Sequence, residues 1–521
     1  MSLIRAVETL ADLPGIVASQ FAAKTALVVA GRHITYEELD RQTNRIANAL
    51  IRRGIAPRDR IALLAADPLT AVFLVFGAAK AGAVSVNINP RLAAGEVASI
   101  LADAGARLLF VDGELEPLAA RLAEMSARPP EIVVVRGDPA GVPFGDWCAR
   151  EADCSPALRY DPEDVVVQMY TSGTTGRPKG VQLPNRSFFA IARRMEADGD
   201  RWIGWTDESV SLLFVPLFHI GGLWWLVRGL AVGGTNVLLR RFEPAAVLRA
   251  IPEYRVTKTC MVPAMAQVLL MEPGCRDTDF SSLETIVYGG SPIATELLKQ
   301  AMNVFGCDFC QIYGMTETGN MAVCFRPDDH RRADDRQLRA AGTPLPGVEV
   351  RIVDRDRQAV GTRVAGEIAI KSVASMKGYW NVEDETAGAA GWIMTGDVGY
   401  RDEQGFIYVC DRLKDMIISA GENIYPAEIE NVIRSHPDVA DVAVIGMFDR
   451  LWGEAAKALV VRAAGSGVRA SDLARHTRAH LASFKVPKAI EFVDELPRNA
   501  GGKILKAGLR ERFGGINRPA L

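Results

Sequence analysis

The segment at residues 171–180 reads TSGTTGRPKG and combines the residue types that bind phosphate. It contains three glycines, four hydroxyl side chains, an arginine and a lysine. Glycines let a backbone turn tightly, and successive N–H groups, hydroxyls and a cation together form an anion site. The apolar run at residues 165–169 is typical of a buried strand. The sequence therefore predicts a strand followed by a loop that binds nucleotide phosphates.

The spacing within this loop excludes the commonest phosphate motifs. A Walker A loop needs four residues between its glycines and a Ser or Thr after its lysine. Here Gly173 and Gly176 are only three apart, and Gly180 follows Lys179. The loop is not a G-x-G-x-x-G turn either. Composition alone also fits a Gly/Thr-rich surface turn, so the motifs further along the chain must decide.

Five more motifs follow in the chain: YGMTETG at 313–319, TGD at 395–397, DRLKDMI at 411–417, GENIYPAEIE at 421–430 and PRNAGGKILK at 497–506. In type and order, the set resembles the adenylate-forming superfamily of acyl-CoA synthetases, peptide-synthetase adenylation domains and firefly luciferase. The resemblance covers about residues 35–506. It implies that ATP activates a carboxylic acid as an acyl-adenylate.

Composition bounds the class of protein. With 521 residues, the chain exceeds what one hydrophobic core usually supports. A net charge of −3 does not indicate the excess of positive charge that is typical of nucleic-acid-binding proteins. The eight cysteines are scattered, and no secretory signal is seen, so we expect a cytoplasmic protein with reduced thiols. Residues 209–227 carry no charge, but proline, histidine and glycines interrupt them, which predicts a strand, a loop and a helix instead of a membrane span.

The pattern of elements predicts an α/β fold. Short apolar runs alternate with helical patterns, as in layered parallel sheets. We predict strands at 61–65, 83–88, 108–111, 132–135, 236–239 and 285–288. Thr35 and Glu38 predict a capping box that opens a helix. After Gly342, shorter strands indicate a β-rich subdomain, and the chain beyond residues 411–414 predicts a small α+β unit. The resemblance implies an adenylation domain at 1–411 and a mobile lid domain at 412–521.

The resemblance assigns nucleotide binding to a set of positions: Thr171, Ser172, Gly173, Thr174, Thr175, Gly176, Lys179, Gly289, Gly290, Ser291, Tyr313, Gly314, Asp397 and Arg412. Within the set, Tyr313 would stack on adenine, and Asp397 would accept hydrogen bonds from the ribose hydroxyls, with Arg412 assisting. Glu317 would be the Mg²⁺ ligand, and Thr316 would touch the α-phosphate. A single carboxylate suffices because Mg²⁺ also takes phosphate oxygens.

The lid would carry the remaining catalytic group. Lys503 resembles the lysine that bridges the carboxylate and the α-phosphate during adenylation. Lys414 matches the hinge, about which the lid would rotate to present Gly421 to the acyl-adenylate. That face would guide the pantetheine arm of CoA. Trp452 and Phe484 are candidate CoA contacts, although both also fit aromatic residues of a lid core.

We predict that the substrate is an apolar monocarboxylate, either a fatty acid or an aryl acid. The resemblance implies that His219 borders the pocket for this acid and gates the tunnel through which the thiol of CoA enters. Phe218-His219-Ile220 offers no aspartate to pair an α-amine, and Ile220-Gly221 departs from the His-Gly pair of malonate-type ligases. The expected pocket walls are Trp224, Trp225, Tyr288 and Met321.

Four functions stay open from the sequence. The first is an acid–CoA ligase that uses ATP and Mg²⁺. The second loads the phosphopantetheine of a carrier protein; no carrier-type serine motif is recognised, so we expect no attached carrier domain. The third is luciferase-like oxidation. The fourth is a non-catalytic sensor, but a sensor would be expected to lack Lys503, Glu317 or Asp397, and all three are present. The oligomeric state (monomer or homodimer) and peripheral membrane contact stay open too.

Overall fold

The computed structural model describes residues 3–126, 128–136, 144–172, 178–200, 202–382, 387–388, 391–413, 415–419, 422–449, 453–481, 483–498 and 504–514. The helices are α1 (Leu3–Ala6), α2 (Leu13–Phe21), α3 (Tyr36–Arg52), α4 (Pro68–Lys80), α5 (Ala94–Ala104), α6 (Glu116–Met125), α7 (Gly145–Cys148), α8 (Arg186–Ala197), α9 (Ile220–Ala231), α10 (Pro244–Tyr254), α11 (Pro263–Met271), α12 (Thr295–Phe305), α13 (Pro327–Arg332), α14 (Pro426–Arg434), α15 (Ala470–His480) and α16 (Lys506–Phe513).

The first strands of the chain are β1 (Thr25–Val29), β2 (Arg32–Thr35), β3 (Arg60–Leu64), β4 (Val84–Asn87), β5 (Leu108–Asp112), β6 (Glu131–Val135), β7 (Val165–Ser172), β8 (Pro178–Pro184), β9 (Val210–Leu213), β10 (Thr235–Leu238), β11 (Lys258–Met261), β12 (Thr285–Gly289) and β13 (Asp308–Tyr313). The later strands are β14 (Val323–Phe325), β15 (Thr343–Pro344), β16 (Val348–Val353), β17 (Gly366–Ser372), β18 (Gly378–Tyr379), β19 (Ala387–Gly388), β20 (Trp392–Arg401), β21 (Ile407–Arg412), β22 (Ile417–Ser419), β23 (Glu422–Ile424), β24 (Val439–Asp449), β25 (Gly453–Arg462) and β26 (Ala489–Phe492).

Two large sheets form the N-terminal part of the protein. The first has nine strands in the order β15-β14-β13-β12-β11-β9-β10-β1-β2, and its strands from β13 to β1 are mutually parallel. The second has seven strands in the order β18-β8-β7-β4-β3-β5-β6, parallel from β7 to β6. Most of their central strands are buried on both faces, which is why they read as continuous apolar runs.

Two smaller sheets follow. Strands β16, β17, β19, β20 and β21 form an antiparallel sheet, and β22 to β26 form a mixed sheet that packs with α14 and α15 around its own apolar cluster. The predicted α/β class, the β-rich subdomain after Gly342 and the small α+β unit at the C-terminal end are therefore confirmed. The six strands predicted at 61–65, 83–88, 108–111, 132–135, 236–239 and 285–288 are present to within one residue at each end, and the strand predicted at 165–169 continues to residue 172.

Two local predictions are resolved by the structure. The Thr35 hydroxyl accepts a hydrogen bond from the Glu38 backbone N–H at 3.1 Å, and α3 begins directly after it. A capping box also needs a hydrogen bond from the Thr35 backbone N–H to the Glu38 carboxylate. That carboxylate forms an ion pair with Arg32 at 3.1 Å instead, so this half of the prediction is wrong. The uncharged stretch at 209–227 forms β9, a loop and the start of α9, and none of the helices in the described residues is long and apolar enough to cross a membrane.

Gly342 joins two sheets at a point where a side chain has no room. Its φ is +116°, and a Cβ built there lies 2.0 Å from the backbone carbonyl carbon of Cys324. We predict that Gly342→Ala lowers the free energy of unfolding by about 2–6 kcal/mol, because a positive φ and a clash with backbone each cost stability. Chemical denaturation checks this. Gly361→Ala is the matched control, since a Cβ there meets nothing within 4 Å. Equal stability of the two variants would contradict the prediction.

Candidate active site

A tight turn after β13 holds Glu317 in place. A Cβ on Gly314 would lie 2.2 Å from the carbonyl oxygen of Asn320, so this position accepts only glycine. A Cβ on Gly319, whose φ is +75°, would lie 2.5 Å from the carbonyl oxygen of Ala374. Between the glycines, residues Thr316–Thr318 form one short helical turn. As a result Glu317 is only 4% exposed.

The Glu317 carboxylate connects three segments of the chain. Its Oε1 accepts a hydrogen bond from the Tyr379 hydroxyl at 2.9 Å and a longer one from the Thr171 hydroxyl at 3.4 Å. Its backbone carbonyl accepts from the N–H of Met376 at 2.8 Å. Thus the start of the predicted phosphate loop, the YGMTE motif and the segment that ends in β18 meet at one carboxylate.

The two ends of the predicted phosphate loop are held as a hairpin. Strands β7 and β8 pair antiparallel, with Thr171 opposite Lys179 and Ser172 opposite Pro178. The Lys179 ammonium lies 4.8 Å from the centre of the Tyr379 ring. The hairpin therefore places Thr171 and Lys179 opposite each other, with Thr171 bound to Glu317 and Lys179 beside Tyr379.

Tyr313 and Asp397 form a direct pair. The Tyr313 hydroxyl donates to Asp397 Oδ2 at 2.9 Å, although 84 residues separate them. Asp397 is 8% exposed, and its backbone N–H donates a hydrogen bond to the Thr395 hydroxyl oxygen at 3.1 Å. In the β20–β21 ladder Asp397 lies opposite Arg412. The sequence predicted a role for each of these residues in binding the nucleoside, and the structure brings all three together.

A cavity of about 1460 Å³ lies between the carboxyl ends of strands from both large sheets. Its lining includes several predicted site residues: His219, Tyr288, Gly289, Gly290, Gly314 and Thr316. The expected walls Trp224 and Trp225 line it as well, and the ring of Trp224 packs on Trp202 with centroids 5.7 Å apart. Met321 does not belong with them, because it packs in the main hydrophobic core and is not among the residues that line the cavity. Ser291 is half-buried directly after the two glycines.

His219 faces this cavity just before α9. Desolvation of the imidazole by the surrounding protein, and to a lesser extent the positive charge of Arg91, lowers the pKa of His219 below its ordinary value. Arg91 lines the same cavity. His219 is therefore neutral at pH 7, which suits a residue that borders an apolar cavity better than a cation would.

Sequence reasoning missed three polar residues of the site. Tyr379 binds Glu317, Arg91 lies near His219, and Asn320 lines the cavity at a φ of +84°. The Nδ2 of Asn320 is buried and, among the described residues, has no hydrogen-bond partner. The two adjacent aromatic residues in GYW at 378–380 could have marked this segment as a candidate for the site. Nothing in the sequence, however, indicated that Tyr379 contacts Glu317.

Several predicted residues fall outside the part of the chain that the structure describes. These are Gly173, Thr174, Thr175, Gly176, Lys414, Gly421, Trp452 and Lys503. The side chains of Ser172, Arg412 and Phe484 are outside it as well, although Phe484 belongs to the short helical turn Ser483–Lys485. The roles assigned to these residues stay predictions.

Comparison with known families and proteins is consistent with this geometry. Residues 16–380 match the family of AMP-binding enzymes, and residues 428–503 match the C-terminal domain of AMP-binding enzymes. A fatty acid–[acyl-carrier-protein] ligase, ScoC of Streptomyces coeruleorubidus, is 43% identical over 512 residues, 98% of this chain and 97% of its own. A feruloyl-CoA synthase of an Amycolatopsis species is 38% identical over 94% of this chain and 96% of its own.

Solved structures match along nearly the whole length. ATP-bound MatB from Rhodopseudomonas palustris has a TM-score of 0.87 at 29% identity, over 97% of this chain and 99% of its own. The o-succinylbenzoate coenzyme A synthetase MenE from Bacillus subtilis, in complex with ATP and a magnesium ion, has a TM-score of 0.83 at 32% identity, over 96% and 99%. Both likenesses extend through the C-terminal unit.

The pKa of His219 provides a test of the cavity. We expect it to lie below 6.5 in the wild type and to rise in Arg91→Gln, because a nearby positive charge is removed. The unfolded chain then binds more protons than the folded one, so this group's contribution to stability is lost as the pH falls through 6.5 and below. NMR of ¹³C-labelled histidine measures the pKa, with His219→Gln identifying the resonance. Arg58→Gln, at an exposed arginine, is the control. An unchanged pKa in Arg91→Gln would contradict this account.

Proposed function

The chain belongs to the family of AMP-binding enzymes, and on this basis we propose that it is an AMP-forming acid–thiol ligase. It would join an apolar carboxylic acid to AMP and pass the acyl group to the thiol of CoA. The observation that carries the proposal is that the Thr171–Glu317 contact and the Tyr313–Asp397 pair lie on either side of residues 314–316, which line one apolar cavity. Thr171 and Glu317 would bind phosphate and metal, and the pair would bind the nucleoside.

The reaction needs charge neutralisation more than covalent help. The carboxylate oxygen attacks the α-phosphorus of ATP, the bond to the β-phosphate oxygen breaks, and pyrophosphate leaves. Lys179 and the hydroxyl of Thr171 would hold the departing phosphates, and Thr316 would touch the α-phosphate. Fixed donors of this kind act strongly where water is excluded.

The residues around Glu317 fit Mg²⁺. They offer hard oxygen donors, a buried carboxylate beside a threonine hydroxyl. No cluster of three or more His, Cys, Asp or Glu that could hold a metal occurs in the described residues, which agrees with an ion held partly by phosphate. When bound, Mg²⁺ neutralises charge on the phosphates. The chain's part is to hold the Glu317 carboxylate beside the phosphate loop.

The nucleoside would bind at the Tyr313–Asp397 pair. The Asp397 carboxylate would accept hydrogen bonds from the ribose hydroxyls. The Tyr313 hydroxyl donates to that carboxylate, and the Tyr313 ring would stack on adenine. Arg412, opposite Asp397 in the ladder, would add positive charge at the ribose.

The C-terminal unit would act as the lid. We place the boundary at 411/412, with Lys414 as the hinge and residues 412–521 as the moving domain. Lys503, the last residue that matches the C-terminal family, would bridge the carboxylate and the α-phosphate during adenylation. Gly421, Trp452 and Phe484 would face the CoA arm after rotation, a gating step of the kind that lids perform.

The lining of the cavity supports an apolar acid. Its walls carry long apolar and aromatic side chains, among them Phe214, Leu217, Phe218, Trp224, Met261 and Met265. Two relatives act on acids of this kind by name, a fatty acid and ferulate. A fatty or aryl monocarboxylate is therefore the substrate class that we propose.

A carrier protein is the second candidate acceptor. The relative with 43% identity is named as a ligase for an acyl-carrier protein, whereas others are named as CoA ligases. CoA and a carrier protein present the same phosphopantetheine thiol. Only the groups that hold the rest of the acceptor distinguish the two.

A pulse–chase experiment identifies the acceptor. Enzyme, [α-³²P]ATP, Mg²⁺ and one acid at a time from a panel should form a labelled acyl-adenylate. A chase with CoA should then release AMP and form the thioester. Release with a phosphopantetheinylated carrier protein but not with CoA would favour the second candidate. Absence of a labelled adenylate with every acid would contradict the proposal.

Trp224 should restrict the size of the acid. We predict that Trp224→Ala raises kcat/KM for bulky acids relative to octanoate by about 10-fold, because pocket volume changes this ratio by roughly 10- to 200-fold. The comparison of the two substrates within one variant cancels any general loss of stability. Trp147→Ala, which removes a tryptophan outside the cavity lining, should leave the ratio unchanged. The same ratio in both variants would contradict a pocket role for Trp224.

A further inference from the structure

Tyr379 contacts both charged groups at the base of the phosphate loop. Its hydroxyl donates to Glu317 Oε1 at 2.9 Å, and its ring faces the Lys179 ammonium at 4.8 Å from the ring centre. The ring's negative face attracts a cation at this distance. One side chain therefore connects the Glu317 carboxylate, in the helical turn 316–318, with the Lys179 ammonium on β8.

The backbone around Tyr379 is fixed to the strand that leaves the phosphate loop. β18 pairs with β8, and Tyr379 lies opposite Val181. The N–H of Trp380 donates to the Gly180 carbonyl at 2.7 Å. The Tyr379 side chain is thus attached to the same hairpin that carries Lys179.

The next residue adds a second anchor. The indole N–H of Trp380 donates to the Asp103 carbonyl at 2.9 Å, and the Arg60 guanidinium stacks 3.2 Å from its ring centre. The Tyr170 hydroxyl also donates to the Asp103 carboxylate, at 2.5 Å. Asp103 thereby ties Trp380 to the residue that precedes Thr171.

The hydrogen bond to Glu317 leaves its carboxylate in one orientation. Of the hydrogen bonds among the described residues, those to this carboxylate are made to Oε1, from Tyr379 and Thr171. A carboxylate that is bound through one oxygen by fixed donors presents the other oxygen in a defined direction. Loss of such a partner behind a metal ligand typically weakens metal binding by about 10- to 100-fold.

We propose that Tyr379 is a positioning residue for both the metal carboxylate and the phosphate-binding cation. Its hydroxyl orients Glu317 toward Mg²⁺, and its ring keeps the Lys179 ammonium beside the phosphates. The inference rests on the proposed function, because it takes Glu317 as the metal ligand and the 171–180 segment as the phosphate loop. It adds a residue that belongs to none of the motifs from which the function was argued.

Two substitutions separate the hydroxyl from the ring. Tyr379→Phe removes the hydrogen bond to Glu317 and keeps the ring, so it should weaken metal binding with little change in metal-free nucleotide binding. Tyr379→Leu removes both and should weaken both. Tyr254→Phe is the control, since it removes a tyrosine hydroxyl at the end of α10, outside the cavity lining.

Metal binding can be measured without turnover. Mn²⁺ is titrated by EPR into enzyme with α,β-methylene-ATP, and calorimetry measures the binding of the same nucleotide in EDTA. We expect Tyr379→Phe to bind Mn²⁺ about 10- to 100-fold more weakly than wild type. We also expect it to bind the metal-free nucleotide as wild type does, and we expect Tyr254→Phe to match wild type in both.

The outcomes distinguish this inference from the proposed function. Wild-type affinity for Mn²⁺ in Tyr379→Phe, with acid-dependent adenylation intact, would overturn the role of Tyr379 alone. Wild-type metal-free nucleotide affinity in Tyr379→Leu would overturn the role of the ring. If the wild type binds neither Mn²⁺ nor nucleotide and forms no adenylate, the proposed function and the inference both fail.

Discussion

The site depends on how closely the turn at residues 314–320 packs against its neighbours. A Cβ on Gly314 would meet the Asn320 carbonyl at 2.2 Å, and one on Gly319 would meet the Ala374 carbonyl at 2.5 Å. Both obstacles are backbone atoms, which cannot move aside as a flexible side chain can. The position of Glu317 therefore follows from backbone packing, and its hydrogen bonds orient a carboxylate that is already in place.

The same packing brings together groups from different layers. Thr171 and Lys179 come from the seven-stranded sheet, Tyr313 from the nine-stranded sheet, and Asp397 from the antiparallel sheet. The cavity lies where the carboxyl ends of the parallel strands face each other, a usual place for ligands in α/β folds. An apolar acid in this cavity would lie next to residues 314–316, which connect Tyr313 to Glu317. The proposed formation of an acyl-adenylate requires such an acid beside the nucleotide.

Much of this could be predicted from local sequence. Apolar runs located the strands, and the motifs located Glu317, Tyr313 and Asp397, because strand burial and glycine turns leave local patterns. The bond from Tyr313 to Asp397 and that from Tyr379 to Glu317 could not, since each joins residues that are far apart in sequence. Register and packing decide such pairs, and a single sequence does not record them.

The failed predictions have the same origin. Glu38 had the right spacing for a capping box, but Arg32 on the preceding strand offers its carboxylate an ion pair. Met321 was expected in the cavity wall as an apolar side chain, yet it lies in the main hydrophobic core and not in the cavity lining. In both cases contacts formed in the fold decided between two options that local sequence left equal.

The step on which the proposed function depends is the joining of a carboxylic acid to AMP. Acid-dependent exchange of [³²P]pyrophosphate into ATP measures that step directly, because exchange requires reversible formation of the acyl-adenylate. We expect exchange in the wild-type enzyme only when Mg²⁺ and a fatty or aryl acid are present, and we expect the exchange to be lost in Glu317→Gln. Exchange that does not depend on an acid, or that persists undiminished in Glu317→Gln, would contradict it.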